Sequence, residues 1–177
     1  MKLVNIITPC SRPENLEEIA RSINFPKYRW IVVFDGPIPE NTPAQAECYS
    51  VINKNSISGN AQRNFALDLV EDGWIYFNDD DTVVHPDLWD AIKDLDADFA
   101  SFRQILPSGL LRLEGKSVTL NNIDSHNFIM DVSLLGNSRW NLQRYDADGL
   151  FAHECWLKSK NYKYIDKVLS VYNALRK

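Results

Sequence analysis

The sequence predicts an α/β fold in which a mostly parallel sheet is flanked by helices. Over residues 1–95, short apolar segments alternate with amphipathic segments, which is the order typical of βαβ units. Three of the apolar segments end in polar, turn-forming residues, as strands do at the ligand-binding edge of such a sheet. With 177 residues, 45% of them hydrophobic, the chain is long enough for one domain with a buried core but too short for two complete ones.

The first half of the chain contains four candidate strands and three candidate helices. The strands are short apolar runs bounded by turn residues: Leu3–Thr8, Trp30–Phe34, Ser50–Ile52 and Trp74–Phe77. The helices are predicted to begin after Asn15, to span Asn60–Val70, and to run from Pro86 to about Leu95. In the first helix, apolar residues repeat at helical spacing, and Asn15 with Glu18 forms a predicted capping box. Residues 37–48 contain three prolines and are predicted to form a loop.

After residue 96 the pattern changes to short strands separated by turns, followed by one helix. The predicted strands are Phe99–Ile105, Leu110–Glu114, Ser117–Leu120 and Asn127–Asp131, and the predicted helix is Asp148–Lys158. The sequence contains neither an internal repeat nor a linker-like change of composition. We therefore expect this part to pack on the same sheet, within one domain that spans residues 1–177.

Charge and cysteine content limit the classes of partner and compartment. Nineteen Lys and Arg residues against 24 Asp and Glu give a net charge of −5, which excludes a sequence-wide basic surface for nucleic acid or an anionic membrane. Cys10, Cys48 and Cys155 have no paired spacing, so we expect free thiols rather than disulfides or a zinc site. The N-terminus lacks a signal-peptide pattern and no segment approaches a membrane span. These features predict a cytoplasmic protein.

Three adjacent carboxylates, Asp79, Asp80 and Asp81, directly follow the strand Trp74–Phe77. Their mutual repulsion is relieved by a hard divalent cation, which also leaves coordination positions for phosphate oxygens. The alternative is a solvated acidic turn. Because the cluster follows a buried strand in a βαβ context, we favour a metal and ligand site.

The helix Asn60–Val70 carries a second unusual residue, Arg63. At 100° per residue, Arg63 falls within the apolar arc of this helix, in its first turn. A guanidinium there needs a partner, either a diphosphate or one of the three aspartates. The alternative is a side chain that extends from the helix end to water.

Four segments, in order, resemble the GT-A class of nucleotide-sugar glycosyltransferases. Ile6–Pro13 (Ile-Ile-Thr-Pro-Cys-Ser-Arg-Pro) is similar to the start of the family 43 glucuronyltransferases and of family 2 enzymes. Trp30–Gly36 resembles the family 2 strand that ends in an acidic residue and glycine. Gly59–Leu67 resembles a segment with Arg-Asn-x-Ala-Leu in both families, and Ile75–Asp81 resembles the strand end that carries the DxD motif. The resemblance covers about residues 3–95.

The resemblance implies a Rossmann-like GT-A domain with a nucleotide-sugar-binding half at 1–95 and a short acceptor-side half at 96–177. It implies a UDP-sugar donor, an unidentified glycan or small-molecule acceptor, and Mn²⁺ or Mg²⁺ as cofactor. The implied substrate-binding residues contact the base and ribose, the diphosphate, or both: Thr8, Pro9, Arg12, Asp35, Asn60, Arg63, Asp79 and Asp80. Within this set, Asp35 accepts from the base, Arg63 approaches the diphosphate and Asp80 touches the ribose. Asp81 ligates the metal ion, with Asp79 assisting.

The general base is expected at the start of the predicted helix Asp148–Lys158. The apolar residues of this helix surround almost its whole circumference, which is typical of a buried helix. Its carboxylates are therefore unusual. Asp148 best matches the base position of the resembling inverting enzymes, with Glu154 and then Asp146 as alternatives. The competing interpretation is that Asp148 caps the helix and Glu154 forms a structural ion pair.

Other residues allow weaker inferences. His126 is expected to be a surface or hydrogen-bonded histidine rather than a ligand of acceptor or metal. Trp89, Trp140 and Trp156 are either core residues or sugar-stacking platforms. No histidine near the C-terminus matches the further metal ligand of many GT-A enzymes.

Taken together, the sequence predicts a metal-dependent glycosyltransferase that uses a UDP-sugar and inverts configuration with a carboxylate base. One alternative is a nucleotide or nucleotide-sugar binding module without efficient transfer, because the acceptor half is short. Another is a nucleotidyltransferase, although that class usually begins with a Gly-rich basic loop that this N-terminus lacks.

Overall fold

The structure, a computed structural model, describes residues 1–176, which form eight strands and four α-helices. The strands are β1 (Val4–Cys10), β2 (Tyr28–Phe34), β3 (Ala46–Ser50), β4 (Trp74–Phe77), β5 (Phe99–Ile105), β6 (Leu111–Leu113), β7 (Phe128–Asp131) and β8 (Tyr162–Val171). The helices are α1 (Leu16–Ser22), α2 (Asn60–Leu67), α3 (Leu88–Ile92) and α4 (Ala147–Trp156).

One sheet contains all eight strands, in the order β3-β2-β1-β4-β7-β5-β6, and β8 pairs with the remaining edge of β5. Strands β1 to β4 are mutually parallel, β7 and β6 run antiparallel to their neighbours, and β8 is parallel to β5. Because parallel strands end at the same edge, the segments after β1, β2 and β4 meet there. The predicted α/β class is confirmed.

Two apolar clusters cover the two faces of the sheet. In β2, Trp30 and Val32 belong to the cluster that includes α1 and α3, while Ile31 and Val33 belong to the cluster that includes α2 and α4. This alternation follows from the period of two along a strand. Helices α2 and α4, which carry Arg63 and Asp148, therefore pack on the same face.

Strand β1 is longer than predicted and includes Pro9. Its pairing with β4 ends at Ile7, whereas its pairing with β2 continues to Cys10. Pro9 therefore lies beyond the last paired residue of β4, where its missing N–H removes no hydrogen bond from that side.

Three local predictions are wrong. The strand predicted at Ser50–Ile52 is β3, which ends at Ser50 and begins inside the predicted loop. Residues Ser117–Leu120 form no strand, because the carbonyl of Val118 accepts from the His153 Nδ1 atom, 2.6 Å away, rather than from a neighbouring strand. The capping box is not formed, since the Asn15 side chain makes no cap hydrogen bond.

No helix in residues 1–176 has the length and apolar character needed to cross a membrane.

Candidate active site

A cleft of about 580 Å³ opens where the parallel strands end. The segments after β1, β2 and β4 line one side of it, together with the start of α2. The other side is lined by residues of β6, of the segments 121–125 and 172–176, and of the connection into α4. Most of the predicted site residues therefore meet in one place: Pro9, Arg12, Asp35, Asn60, Arg63, Asp79, Asp80, Asp81, Asp146 and Asp148.

Asp79 is held by three side chains. Its Oδ1 accepts from Arg63 at 2.5 Å, and its Oδ2 accepts from Ser125 at 3.0 Å and contacts His126 Nε2 at 2.9 Å. Burial alone would raise the pKa of Asp79, but the charges of Arg63 and His126 hold that pKa well below its usual range. Both carboxylate oxygens are thus occupied by groups of the protein.

Arg63 bridges the acidic strand end and the apolar core. Its side chain is only 6% exposed, so the predicted alternative of extension to water is wrong. The guanidinium lies 4.5 Å from the ring centroid of Trp140 and donates to the Ser58 carbonyl at 2.5 Å. Its Nε is buried without a partner among the described residues.

His126 is buried beneath the cleft and does not line it. Burial lowers its pKa, but the carboxylates of Asp124 and Asp79 outweigh that effect and raise the pKa to about 9. The expectation of a hydrogen-bonded histidine agrees with this position. His126 therefore holds the Asp79 carboxylate from the buried side of the site.

Asp80 anchors the segment after β1. Its Oδ2 accepts from the backbone N–H of Ser11 at 2.6 Å and that of Arg12 at 2.7 Å, and its Oδ1 accepts from the Arg12 guanidinium at 2.5 Å. The Asn15 side chain donates to the Asp80 carbonyl at 2.7 Å. The carboxylate therefore sets the conformation of the loop that follows β1.

Asp81 has the fewest compensating contacts of the three carboxylates. Among residues 1–176, the only side-chain hydrogen bond of Asp81 is to Arg12, at 3.4 Å, although Asp81 is 7% exposed. Burial and the nearby Asp79 charge raise the pKa of Asp81. A buried carboxylate with so little neutralising charge is suited to a cation.

The side chains that could act as metal ligands also limit the kind of metal site that this cleft offers. Among residues 1–176, no group of three or more His, Cys, Asp or Glu side chains is arranged to hold a metal ion. Mg²⁺ is commonly bound by one or two carboxylates together with substrate phosphates rather than by a cage of protein ligands. Asp81 thus fits a hard divalent cation that is shared with a phosphate-bearing ligand.

Asp148 lies in the first turn of α4 and faces the same cleft. Its Oδ1 accepts from the Gly149 N–H at 2.7 Å. Burial raises the pKa of Asp148 to about 6, with the Asp124 carboxylate as the second cause. A carboxylate of this pKa takes up a proton more readily than an ordinary aspartate, as general bases do.

The two alternatives to Asp148 differ in position. Asp146 lines the cleft but forms a two-bond ion pair with Arg144, at 2.8 and 2.6 Å. Glu154 does not line the cleft and accepts from Ser138 at 2.5 Å. The prediction of Glu154 as a catalytic residue is therefore wrong, because six positions along an α-helix turn its side chain about 120° away from that of Asp148 and out of the cleft.

Thr8 is also wrongly predicted as a ligand contact. The residue has no exposed surface, and its Oγ1 accepts from the Trp30 Nε1 at 3.0 Å. Because β1 continues to Cys10, Thr8 lies within the strand rather than at its end. Pro9, one residue later, lies on the cleft side.

The role of Thr8 leads to a stability prediction. We expect Thr8→Val to lower the free energy of unfolding by about 1–3 kcal/mol, because the Trp30 Nε1–H is left buried without an acceptor. The affinity for UDP, the nucleotide that the sequence resemblance implies, should change by less than about twofold, because Thr8 does not line the cleft. Urea unfolding and calorimetry measure the two quantities. A large loss of UDP affinity at unchanged stability would indicate that Thr8 does contact the nucleotide.

Close packing joins the end of β1 to the start of α2. Gly59 precedes α2 with a φ of +75°, and a Cβ at this position would lie 2.7 Å from the Pro9 Cβ. Only glycine meets both conditions. The Asn60 side chain donates to the carbonyls of Asn141 and Arg144, at 2.8 and 3.1 Å, so it ties the connection before α4 to the cleft. Asp35 lies exposed at the end of β2.

An ion pair on the far side of the cleft was not predicted from the sequence. Arg112 donates to Asp124 at 2.5 Å, and its guanidinium lies 3.7 Å from the ring centroid of Tyr172. Arg112 belongs to the edge strand β6, and Asp124 precedes β7 by four residues. Nothing in the local pattern distinguishes this arginine from a surface residue.

Of Trp89, Trp140 and Trp156, only Trp140 is buried, and the other two are half-buried. Trp140 is buried against Phe77 and Phe151, and Trp89 packs with Phe25 on the opposite face of the sheet. Trp156 is half-buried beside Tyr162. Neither Trp89 nor Trp156 lines the cleft.

Comparison with known proteins agrees with the sequence resemblance. A family profile described as glycosyl transferase family 2 matches residues 10–127, about two thirds of the chain. Among curated protein sequences, none matches the chain. Residues 1–349 of TarS from S. aureus superpose with a TM-score of 0.76 at 17% identity, covering 97% of this chain and 60% of that one.

Two further solved structures contain ligands. The same part of TarS in complex with UDP-GlcNAc gives a TM-score of 0.71 at 18% identity and covers 96% of this chain and 57% of that one. The mannosyltransferase PcManGT from Pyrobaculum calidifontis, in complex with GDP-Man and Mn²⁺, gives 0.69 at 14% identity and covers 98% and 57%. The chain thus spans about 60% of the length of these relatives or less.

Proposed function

Because the chain belongs to glycosyl transferase family 2, we propose that it transfers a sugar from a UDP-sugar to an acceptor hydroxyl with the aid of a divalent cation. One observation carries the proposal. The acidic end of β4 and the raised-pKa carboxylate of Asp148 open into the same cleft. A site for a nucleotide diphosphate and a candidate base are what such a transfer requires.

The nucleotide is assigned to the segments after β1 and β2. Pro9 and Arg12 line this end of the cleft, and the exposed Asp35 carboxylate is free to accept from the imide N–H of uracil. The structure of TarS with UDP-GlcNAc supports a uridine donor, although the likeness is one of fold. The ribose contact of Asp80 stays a prediction, since Ser11 and Arg12 already occupy this carboxylate.

The diphosphate is assigned to the end of the cleft at Asp81, which would hold Mn²⁺ or Mg²⁺. When bound, the cation would neutralise charge that develops on the departing diphosphate. Arg63 adds a positive charge nearby, and Asn60 holds the start of α2 at the cleft. We assign Asp79 to positioning Arg63 rather than to the cation, because its two oxygens already have protein partners.

Asp148 is the proposed general base for a single displacement. Its carboxylate takes the proton from the acceptor hydroxyl, and the acceptor oxygen forms a bond to the anomeric carbon. The bond between that carbon and the phosphate oxygen breaks, and UDP leaves with the electron pair. Attack from the side opposite UDP inverts the configuration at the anomeric carbon.

The free thiols of Cys10, Cys48 and Cys155 support a cytoplasmic location, where thiols stay reduced.

The pKa of Asp148 predicts the pH dependence of the reaction. The base must be deprotonated to act, so log kcat/KM should rise with a slope of one below pH about 6 and level off above it. An ordinary aspartate would place this bend near pH about 4. Initial rates between pH 4.5 and 8, at saturating Mn²⁺, measure the bend. A profile that is flat down to pH 4.5 would contradict a base with this raised pKa.

A donor panel tests the proposed function. The protein is incubated with UDP-, GDP- and CMP-sugars in Mn²⁺ or in EDTA, and the released nucleotide is quantified. We expect release of UDP from at least one UDP-sugar in Mn²⁺ only. Binding of UDP without release from any donor would favour the binding-module alternative. Release of pyrophosphate from a nucleoside triphosphate and a sugar phosphate would favour a nucleotidyltransferase.

A further inference from the structure

Tyr145 is the only exposed aromatic residue among residues 1–176, and it stands at the rim of the cleft. Its exposed fraction is 82%, whereas every other Phe, Tyr and Trp in that range is buried or half-buried. In residues 1–176, the fold therefore covers every aromatic ring at least in part, except that of Tyr145. A tyrosine ring at the rim of a cleft offers a ligand both an apolar face and a hydroxyl group, so it is a candidate for ligand contact.

The main chain beneath this ring is fixed to the rest of the site. Asn60 donates to the carbonyls of Asn141 and Arg144, and Arg144 pairs with Asp146 on the other side of Tyr145. The exposure of the ring is therefore not that of a frayed loop. The backbone is anchored while the side chain is left uncovered.

The position of Tyr145 places it with the proposed base. It lies three residues before Asp148, on the connection that leads into α4, and both residues line the cleft. The acceptor hydroxyl must come within about 3 Å of the base. The segments assigned to the nucleotide follow β1, β2 and β4 instead. A group bound at Tyr145 is therefore on the acceptor's side of the reaction.

The chemistry around the ring selects the class of acceptor. A pyranose has a flat face of C–H groups and an edge of hydroxyl groups, so it matches an aromatic face that is bordered by polar side chains. The carboxylates of Asp146 and Asp148 follow this ring in the sequence and line the cleft. A hydrocarbon offers no hydroxyl group to the Asp148 carboxylate, and a serine or threonine side chain offers no flat apolar face.

We propose that Tyr145 forms the acceptor subsite and that its ring stacks on the C–H face of a pyranose, so that the acceptor is a sugar. This inference rests on the proposed glycosyl transfer and names the acceptor class. It assigns to Tyr145 the binding of the acceptor and not of the nucleotide.

The test measures UDP release from the donor that the panel identifies, with added acceptors. Methyl glycosides and short oligosaccharides form one set of probes, and serine-containing peptides and long-chain alcohols form the other. We expect at least one sugar to raise the rate above that with water alone. Tyr145→Ala should raise the KM for that sugar about tenfold, while Tyr145→Phe, which keeps the ring, should stay within about twofold of the original protein.

The matched control is Leu157→Ala, which removes an exposed apolar side chain outside the cleft. This variant should change neither the KM for the donor nor the KM for the sugar acceptor. An equal rise in the donor KM of Tyr145→Ala would assign the ring to the nucleotide and overturn the proposal. Stimulation by peptides or alcohols alone, or by no probe, would also overturn it. If no donor releases UDP and UDP does not bind, the proposed function itself fails, which is a different result.

Discussion

Asp148→Asn is expected to slow sugar transfer by about 10²–10⁴-fold, because the amide cannot take the acceptor proton. The amide oxygen still accepts from the Gly149 N–H, so the start of α4 keeps its hydrogen bond. The KM for the donor should stay nearly constant. Single-turnover rates with a fixed UDP-sugar and acceptor measure the chemical step.

Glu154→Gln is the matched control for that change, since it alters a carboxylate of the same helix that lies outside the cleft. Its transfer rate should equal that of the unmodified protein. A large loss in Glu154→Gln together with full activity in Asp148→Asn would reverse the assignment. Full activity in both variants would mean that neither carboxylate is the base.

Asp81→Asn is expected to weaken Mn²⁺-dependent UDP binding by on the order of 100-fold, to the level measured in EDTA. The reason is that an amide removes the negative charge that a hard cation needs. Titration calorimetry with UDP, in Mn²⁺ and in EDTA, measures the effect. Equal affinity under the two conditions in the unmodified protein would contradict the metal assignment.

Stability provides a check on the Asp81 variant. Burial raises the pKa of this carboxyl, so its charged form is disfavoured in the fold at pH values above the folded pKa. The amide should therefore leave the melting temperature at pH 7 unchanged or raise it. Asp90→Ala, which removes an exposed carboxylate of α3, should keep both UDP affinity and stability. Unfolding of the Asp81 variant would indicate a structural acidic turn instead.

Local sequence patterns were enough to predict the fold class and the strand that carries the acidic run. The bounds of β4 were predicted correctly, and the acidic run after it does open into the cleft. Both depend on neighbouring residues, namely an apolar run and the polar residues that end it. The GT-A resemblance is confirmed through family 2, whereas the likeness to family 43 stays a prediction.

Long-range contacts explain most of the errors. Whether Thr8 meets the core or the cleft depends on where β1 ends, which is set by its pairing with β2. Asp80 bonds to Ser11, 69 positions away, and Arg112 pairs with Asp124 across a segment without regular structure. No periodicity in the sequence encodes such pairs, because each depends on the completed fold.

The central claim is that the cleft holds a UDP-sugar with its anomeric carbon directed towards Asp148. A crystal structure of Asp148→Asn with an intact UDP-sugar and Mn²⁺ tests it most directly, because the variant should bind the donor without consuming it. We predict the diphosphate and cation at Asp81 and the anomeric carbon facing residue 148 across a gap that fits one acceptor oxygen. A donor bound with its diphosphate away from Asp81, or with its sugar directed away from residue 148, would contradict the claim.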